Sequence, residues 1–284
     1  MALGRLVGRC PSPALVAAPL CMSRFQAVSS GEVRLEPAGA VGWVVFDNPS
    51  RRNAFTGPML VQLRDVLIEA AADETIRVVA LRGAGDEAFV SGADISAFGS
   101  ATGVETGPPV EDLLSAFTEL DKPVIAALRG WCLGGGVLLA LAADVRLAGA
   151  DLRMGIPAAR LGVAYPKLAV ARLVSVAGPA VAAEMLMSGA PLEAADALRA
   201  GLVNRVVPAG SVFEAAGALA ERMAANAPLT LAASKRTIAA VLDPSRPETS
   251  EAAALAISAC QGSEDFREGQ RAFADKRPPV FRGR

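Results

Sequence analysis

Residues 123–148 read PVIAALRGWCLGGGVLLALAADVRLA. Pro123-Val-Ile-Ala-Ala-Leu128 is a short apolar run behind a proline, with the length and composition of a buried strand. Gly130 to Gly136 reads as a glycine-rich turn, and Val137 to Ala143 as a helix apolar on every side. Val145-Arg-Leu-Ala148 resumes as a strand. Working upstream, Val33-Arg-Leu-Glu-Pro37 and Val41-Gly-Trp-Val-Val-Phe46 read as two strands around a glycine turn, stopped by Asn48-Pro49. Pro58 to Ala72 reads as a helix opening near Thr56. Val78 to Arg82 is a further buried strand, followed by a polar loop and then Phe89-Val-Ser-Gly-Ala-Asp-Ile95. Residues 99–109, GSATGVETGPP, read as a mobile loop, and Val110 to Leu120 as a helix.

Strand, strand, helix thus recurs at a spacing of roughly forty residues, which predicts an α/β chain of stacked ββα units. From Leu168 the pattern turns helical, with one strand at Leu202 to Val207 and alanine-rich helices over 212–276. The expected organisation is an extension at 1–29, a ββα core at 30–207 and a helical C-terminal subdomain at 208–284.

The 284 residues are 52% hydrophobic and 20% charged, enough for a sizeable core. Histidine is absent. That removes Ser-His-Asp and Cys-His nucleophiles, histidine metal ligands and histidine bases together. A net charge of −1 gives no footprint for nucleic acid. Cysteines 10, 21, 132 and 260 have neither CxxC nor metal spacing, so reduced thiols and no bound metal are expected. The apolar run Leu133 to Ala143 contains three glycines and is too short for a bilayer, so no membrane partner is expected. Residues 1–29 carry Arg5, Arg9 and Arg24 and no acid, and Pro11, Pro13 and Pro19 interrupt their apolar stretch. A disordered extension, or initiation at Met22, is the favoured reading over a signal or transit peptide. The expected compartment is a bacterial cytoplasm, or the mitochondrial matrix if the segment is a transit peptide.

Two segments carry candidate chemistry. Gly83-Ala-Gly85-Asp-Glu-Ala88 matches GxGxxA, but Phe89-Val-Ser-Gly92 does not open a helix, so a dinucleotide site is not expected. Gly134-Gly-Gly136 before an apolar helix lets backbone approach a ligand and aims the positive helix end at it. That arrangement suits an anionic oxygen developing on a carbonyl. A packing turn would by itself explain one or two of the glycines. Gly92-Ala93 offers a second backbone N–H.

With their flanks these segments resemble the enoyl-CoA hydratase/isomerase, or crotonase, family. The matching text comprises Asp47-Asn-Pro49, Asn53-Ala54, Phe89 to Ile95, Lys122 to Ala127, Gly130 to Gly136, Asp144-Val-Arg146 and Gly155-Ile-Pro157. It continues through Gly162, Gly201 to Asn204, Glu268-Gly269, Ala272-Phe273 and Lys276-Arg277, so that it spans 31–284. The resemblance implies a crotonase-like spiral of ββα units and an acyl-CoA substrate, with coenzyme A as part of the substrate and no other cofactor. It places the two oxyanion-hole amides on Ala93 and Gly135. It also implies substrate contacts at Arg52, Ser91, Asp94, Ile95, Trp131, Gly134, Leu138 and Ala158. Phe273 and Lys276 would reach the nucleotide from an adjacent chain of a homotrimer or homohexamer, built through the helical third.

The resemblance breaks at two places. Hydratases of the family carry glutamates where this chain has Leu138 and Ala158. Tyr165, the single tyrosine, falls on the loop lining the acyl pocket and is the candidate proton handler, although a lone tyrosine is more often a packing residue. Asp94 reads as the cap of a following helix. Glu105, Glu111 and Asp112 read as a solvated face that also offers carboxylates to the site. Arg160 and Lys167 either meet an acidic acyl group or face solvent. The expected function is stabilisation of a thioester enolate. The alternatives are an isomerase or decarboxylase-like member, and a CoA-ester-binding homologue without turnover.

Overall fold

A computed structural model describes residues 31–94 and 110–284. The 1–29 extension, Ile95, the 99–109 loop and Glu105 lie outside the described residues, as does the Glu111 side chain.

Strands β1 (Glu32–Ala38) and β2 (Val41–Asp47) form an antiparallel hairpin, and helix α1 (Gly57–Ala72) follows. The α1 N-terminus is capped by the Thr56 side chain, which accepts from the Met59 amide. Three ββα units come next. The first is β3 (Val78–Gly83), β4 (Ala88–Val90) and α2 (Val110–Glu119). The second is β5 (Val124–Leu128), β6 (Trp131–Leu133) and α3 (Gly135–Ala142). The third is β7 (Val145–Gly149), β8 (Arg153–Gly155) and α4 (Ala158–Leu161). In each unit the first strand joins one sheet and the second strand the other. Among the described residues the sheets run β1-β2-β3-β5-β7-β10 and β4-β6-β8-β9, where β9 is Leu192–Glu193 and β10 is Arg205–Val207. This alternation gives the stacked ββα units that the sequence predicts.

Helix α5 (Lys167–Ser188) is broken at Gly178, whose φ of 78° precedes Pro179. A proline inside a helix removes one ladder donor, so the break falls where the chain cannot continue regularly. Helices α6 (Ala194–Arg199), α7 (Val212–Ala224), α8 (Pro228–Leu242), α9 (Pro247–Gly262) and α10 (Glu264–Ala274) complete the chain.

The 130–136 segment is not one turn, as its glycines suggested. Trp131–Leu133 pairs with Ala88–Val90 on one side and Arg153–Gly155 on the other, both parallel. β8 and β9 were not foreseen either, and the 202–207 strand is confined to Arg205–Val207. Each of these pieces is two or three residues long, too short to show a period.

Polar residues within the matching text bind the layers together. Lys122 Nζ donates to the carbonyls of Ala70 (2.6 Å) and Asp73 (2.7 Å) at the end of α1. A cation at a helix C-terminus meets the negative end of its dipole. Asp144 accepts from the Val124 amide at 2.7 Å and pairs at 3.1 Å with Lys235 on α8. Burial pushes the Lys235 ammonium down from its ordinary range, and Asp144 pulls it back up. Arg146, also buried, donates to Leu202 and Ala143 carbonyls at 2.7 Å each. Asp144→Ala would leave the Lys235 side chain, 8% exposed, without its counter-charge. The expected loss is about 3 kcal/mol of unfolding free energy. An unchanged urea midpoint would show that the pair does not hold α8 to the sheet.

Candidate active site

The site begins where β2 ends. Pro49–Arg51 makes a 3₁₀ turn, after which Arg52 and Asn53 are left-handed, with φ of 53° and 56°. Asparagine tolerates that region better than most residues. The buried Asn53 side chain also supports it, accepting from the Asn48 amide at 3.0 Å and donating to the Ala84 and Ala88 carbonyls at 3.0 and 2.8 Å. Asn48 in turn donates to the Ala54 carbonyl at 2.8 Å. So fixed, the segment delivers Phe55 to residues 92–94. The Phe55 amide donates to Gly92 at 2.9 Å, and the Phe55 carbonyl accepts from Asp94 at 3.0 Å. Ala93 sits between, bridged in parallel to Phe55.

The glycine turn lies against this bridge. Gly134 has φ 56° and ψ −118°, backbone that L side chains rarely adopt. At Gly135 an added Cβ would lie 2.5 Å from Phe55 Cζ, and at Gly136 one would lie 2.1 Å from the Val90 carbonyl oxygen. Conformation, ring packing and strand packing therefore account for all three glycines. A Cβ on Gly92 would lie 3.7 Å from the Gly135 nitrogen, so the 92–93 and 134–135 turns adjoin. Among the described residues neither the Ala93 nor the Gly135 amide donates a hydrogen bond to protein. Gly135 opens α3, so its amide is one of the N–H groups a helix start leaves unsatisfied.

Tyr165 comes to the same place. Its hydroxyl would be 3.3 Å from a Cβ on Gly134, and the ring packs on the core that holds Phe55. Burial pushes the phenol up to about 12, so it is protonated at neutral pH and available as a donor. Leu138 and Ala158 are buried, at 5% and 7% exposure.

The remaining sequence candidates are spread more widely. Ser91 donates from its hydroxyl to the Arg51 carbonyl and from its amide to Arg52, at 3.1 Å each. Asp94 pairs with Arg51, and the residues after it, where a capped helix was expected, lie outside the described set. Arg52 lies 5.8 Å over the Trp131 ring and 3.7 Å from Glu87. Asp112, Arg160 and Lys167 are exposed, and Arg160 lies along Gly189. Phe273, 88% exposed, lines an apolar cleft of about 860 Å³ between α8, α9 and α10; Lys276 follows α10 in a left-handed conformation, φ 54°. Phe55 was not singled out from the sequence. Its only signal there is its place directly after the matching Asn53-Ala54.

The fold and the paired glycine turns define a protein of the crotonase class. Residues 36–284 match the family described as Enoyl-CoA hydratase/isomerase. Carnitinyl-CoA dehydratase of Citrobacter koseri is 35% identical over 252 residues, 87% of this chain and 96% of that protein. The Salmonella typhi protein of the same name is 34% identical over 261 residues, 90% of this chain and 100% of the relative. An enoyl-CoA hydratase/carnitine racemase from Magnetospirillum magneticum superposes with a TM-score of 0.81 at 36% identity, covering 89% of this chain and 96% of its own. An enoyl-CoA hydratase/isomerase family protein from Hyphomonas neptunium gives 0.82 at 36%, covering 89% and 98%. The chain belongs to the enoyl-CoA hydratase/isomerase family and is an acyl-CoA-processing enzyme of it.

Proposed function

We propose that the chain stabilises the enolate of an acyl-CoA thioester, with the thioester oxygen accepting from the Ala93 and Gly135 amides. The observation that carries this reading is the adjacency of the two turns, each with an amide that has no protein acceptor among the described residues. Two preorganised donors in a water-poor site stabilise an oxyanion far more than they would in water. Tyr165 holds a proton beside the glycine turn and donates it as charge collapses back onto carbon or a leaving group. Leu138 and Ala158 stand where the family's hydratases carry glutamates, so this chain lacks their acid–base pair. Dehydration of an acyl-CoA, the activity in the names of the similar proteins, passes through the same enolate as hydration.

Exchange tests the reading without knowledge of the native substrate. Butyryl-CoA incubated with the enzyme in deuterium oxide buffered with acetate, whose carboxylate takes the α-proton while the two amides hold the enolate oxygen, should gain deuterium at the α-carbon faster than without enzyme, detected by mass spectrometry. Binding of a panel of acyl-CoA esters with no exchange in any of them would favour the CoA-ester-binding homologue instead.

Assembly into a trimer or a pair of trimers belongs to the same proposal. Leu161, Val163, Leu168 and Met187 are exposed around α4 and α5, as are Ile238, Val241 and Leu255 on α8 and α9. Exposed apolar surface on this scale marks an interface. Phe273 and Lys276 would then face a neighbouring chain's nucleotide pocket. Light scattering at micromolar concentration should give a multiple of three chains; a monomer would remove this part of the reading.

A further inference from the structure

Phe55 touches both halves of the proposed hole, and the halves come from different ββα units. Its backbone spans Ala93, donating to Gly92 at 2.9 Å and accepting from Asp94 at 3.0 Å. In a parallel bridge the spanned residue turns its own N–H and C=O to the opposite side. The Ala93 amide therefore faces away from the Phe55 backbone. The ring reaches across to the second unit, where Cζ and Cε1 lie 2.5 and 2.6 Å from the position a Cβ on Gly135 would take. Phe55 is 9% exposed and belongs to the main core, so the ring is braced on its other sides.

We propose that Phe55 is a positioning residue that sets the distance between the Ala93 and Gly135 amides, an inference that rests on reading those amides as the oxyanion donors. One oxygen accepting from two amides requires both nitrogens within hydrogen-bond length of one point, and that length tolerates only a few tenths of an ångström. A flat ring has a fixed length from Cα to Cζ, whereas aliphatic side chains of similar volume change theirs by rotation. The missing Cβ at Gly135 is the other half of the device, since it lets the ring tip rest directly on the backbone that carries the donor. Phe55 itself need not touch substrate.

The probe is crotonyl-CoA carrying carbon-13 at the thioester carbonyl, observed by isotope-edited infrared difference spectroscopy when bound. The wild-type carbonyl should shift to lower frequency than in solution, the signature of two donors on one oxygen. Phe55→Leu retains the backbone bridge but shortens the spacer, and should lose at least half of that shift while affinity for crotonyl-CoA changes much less. Phe55→Tyr keeps the ring and core volume and adds an oxygen at Cζ, driving Gly135 outward; it should lose the shift as well, and it carries the test if the leucine variant does not fold. A full shift retained in a folded variant overturns the spacer role alone. A wild-type carbonyl at its solution frequency overturns the hole, and the spacer with it.

Discussion

Acyl-CoA turnover in Gly135→Pro is expected to fall about 10²–10³-fold below that of the wild-type chain. The proline also places a Cβ 2.5 Å from the Phe55 ring tip, and Gly135→Ala, which adds that Cβ and keeps the N–H, shows how much of the loss the clash alone causes. Only the proline variant lacks the N–H. Gly135 opens α3, and proline is tolerated at a helix start because the donor it removes has no partner within the helix. What Gly135→Pro loses beyond Gly135→Ala is the share of the donor, together with that of the ring CH2 that takes its place. Affinity for the CoA ester should differ much less, because the interaction strengthens as charge develops on oxygen. Wild-type turnover in a folded Gly135→Pro variant would take Gly135 out of the hole and leave its missing side chain explained by packing alone.

Packing does explain more of the matching text than its length suggests. Lys122 closes the end of α1, Asp144 holds Lys235 on α8, and Arg146 ties α3 to the segment before β10. Asn204 accepts from the Arg146 amide at 2.9 Å, while Glu268 and Arg277 clamp the C-terminal segment to α10. These contacts hold the layers of the fold together, and they are silent about which acyl group is bound. The hairpin, α1, the strands of the larger sheet and the alanine-rich helices were legible because each lies in a stretch long enough to show a period or a cap, although β10 is only the second half of the 202–207 run. The smaller sheet was not, since β6, β8 and β9 are two or three residues long and are defined by neighbours distant in sequence. The glycine turn was legible as a place but not as a count. Gly134 answers to its φ, Gly135 to Phe55 and Gly136 to Val90, so what points to chemistry is the pair of unspent amides rather than the run of glycines. Phe55 was invisible because a lone aromatic after a turn has the appearance of ordinary core.

Crotonyl-CoA hydration by this chain is expected to be about 10³-fold or more slower than in a relative carrying both glutamates. Leu138 and Ala158 neither give nor take a proton, and no histidine exists to replace them. Tyr165, pushed up to about 12, is protonated at neutral pH, which suits the acid role proposed for it and leaves it little capacity to take a proton from an attacking water. Addition of water needs both partners, whereas quenching an enolate needs only the acid. Leu138→Glu with Ala158→Glu should therefore raise hydration, although both positions are buried and apolar. Burial lifts a carboxyl pKa, and two neighbouring carboxyls lift each other, so one of the pair should stay protonated at neutral pH while the other ionises. That division is the one an acid and a base require. The same burial costs stability, and a lowered melting temperature in the double variant is part of the expected result. Each single variant should gain much less than the pair, since the two groups act as one constellation. Hydration by the wild-type chain at ordinary enzymatic rates would overturn this view. Its loss in Tyr165→Phe would then locate the replacement at the phenol, and its survival there would direct attention to the carboxylates between 105 and 112.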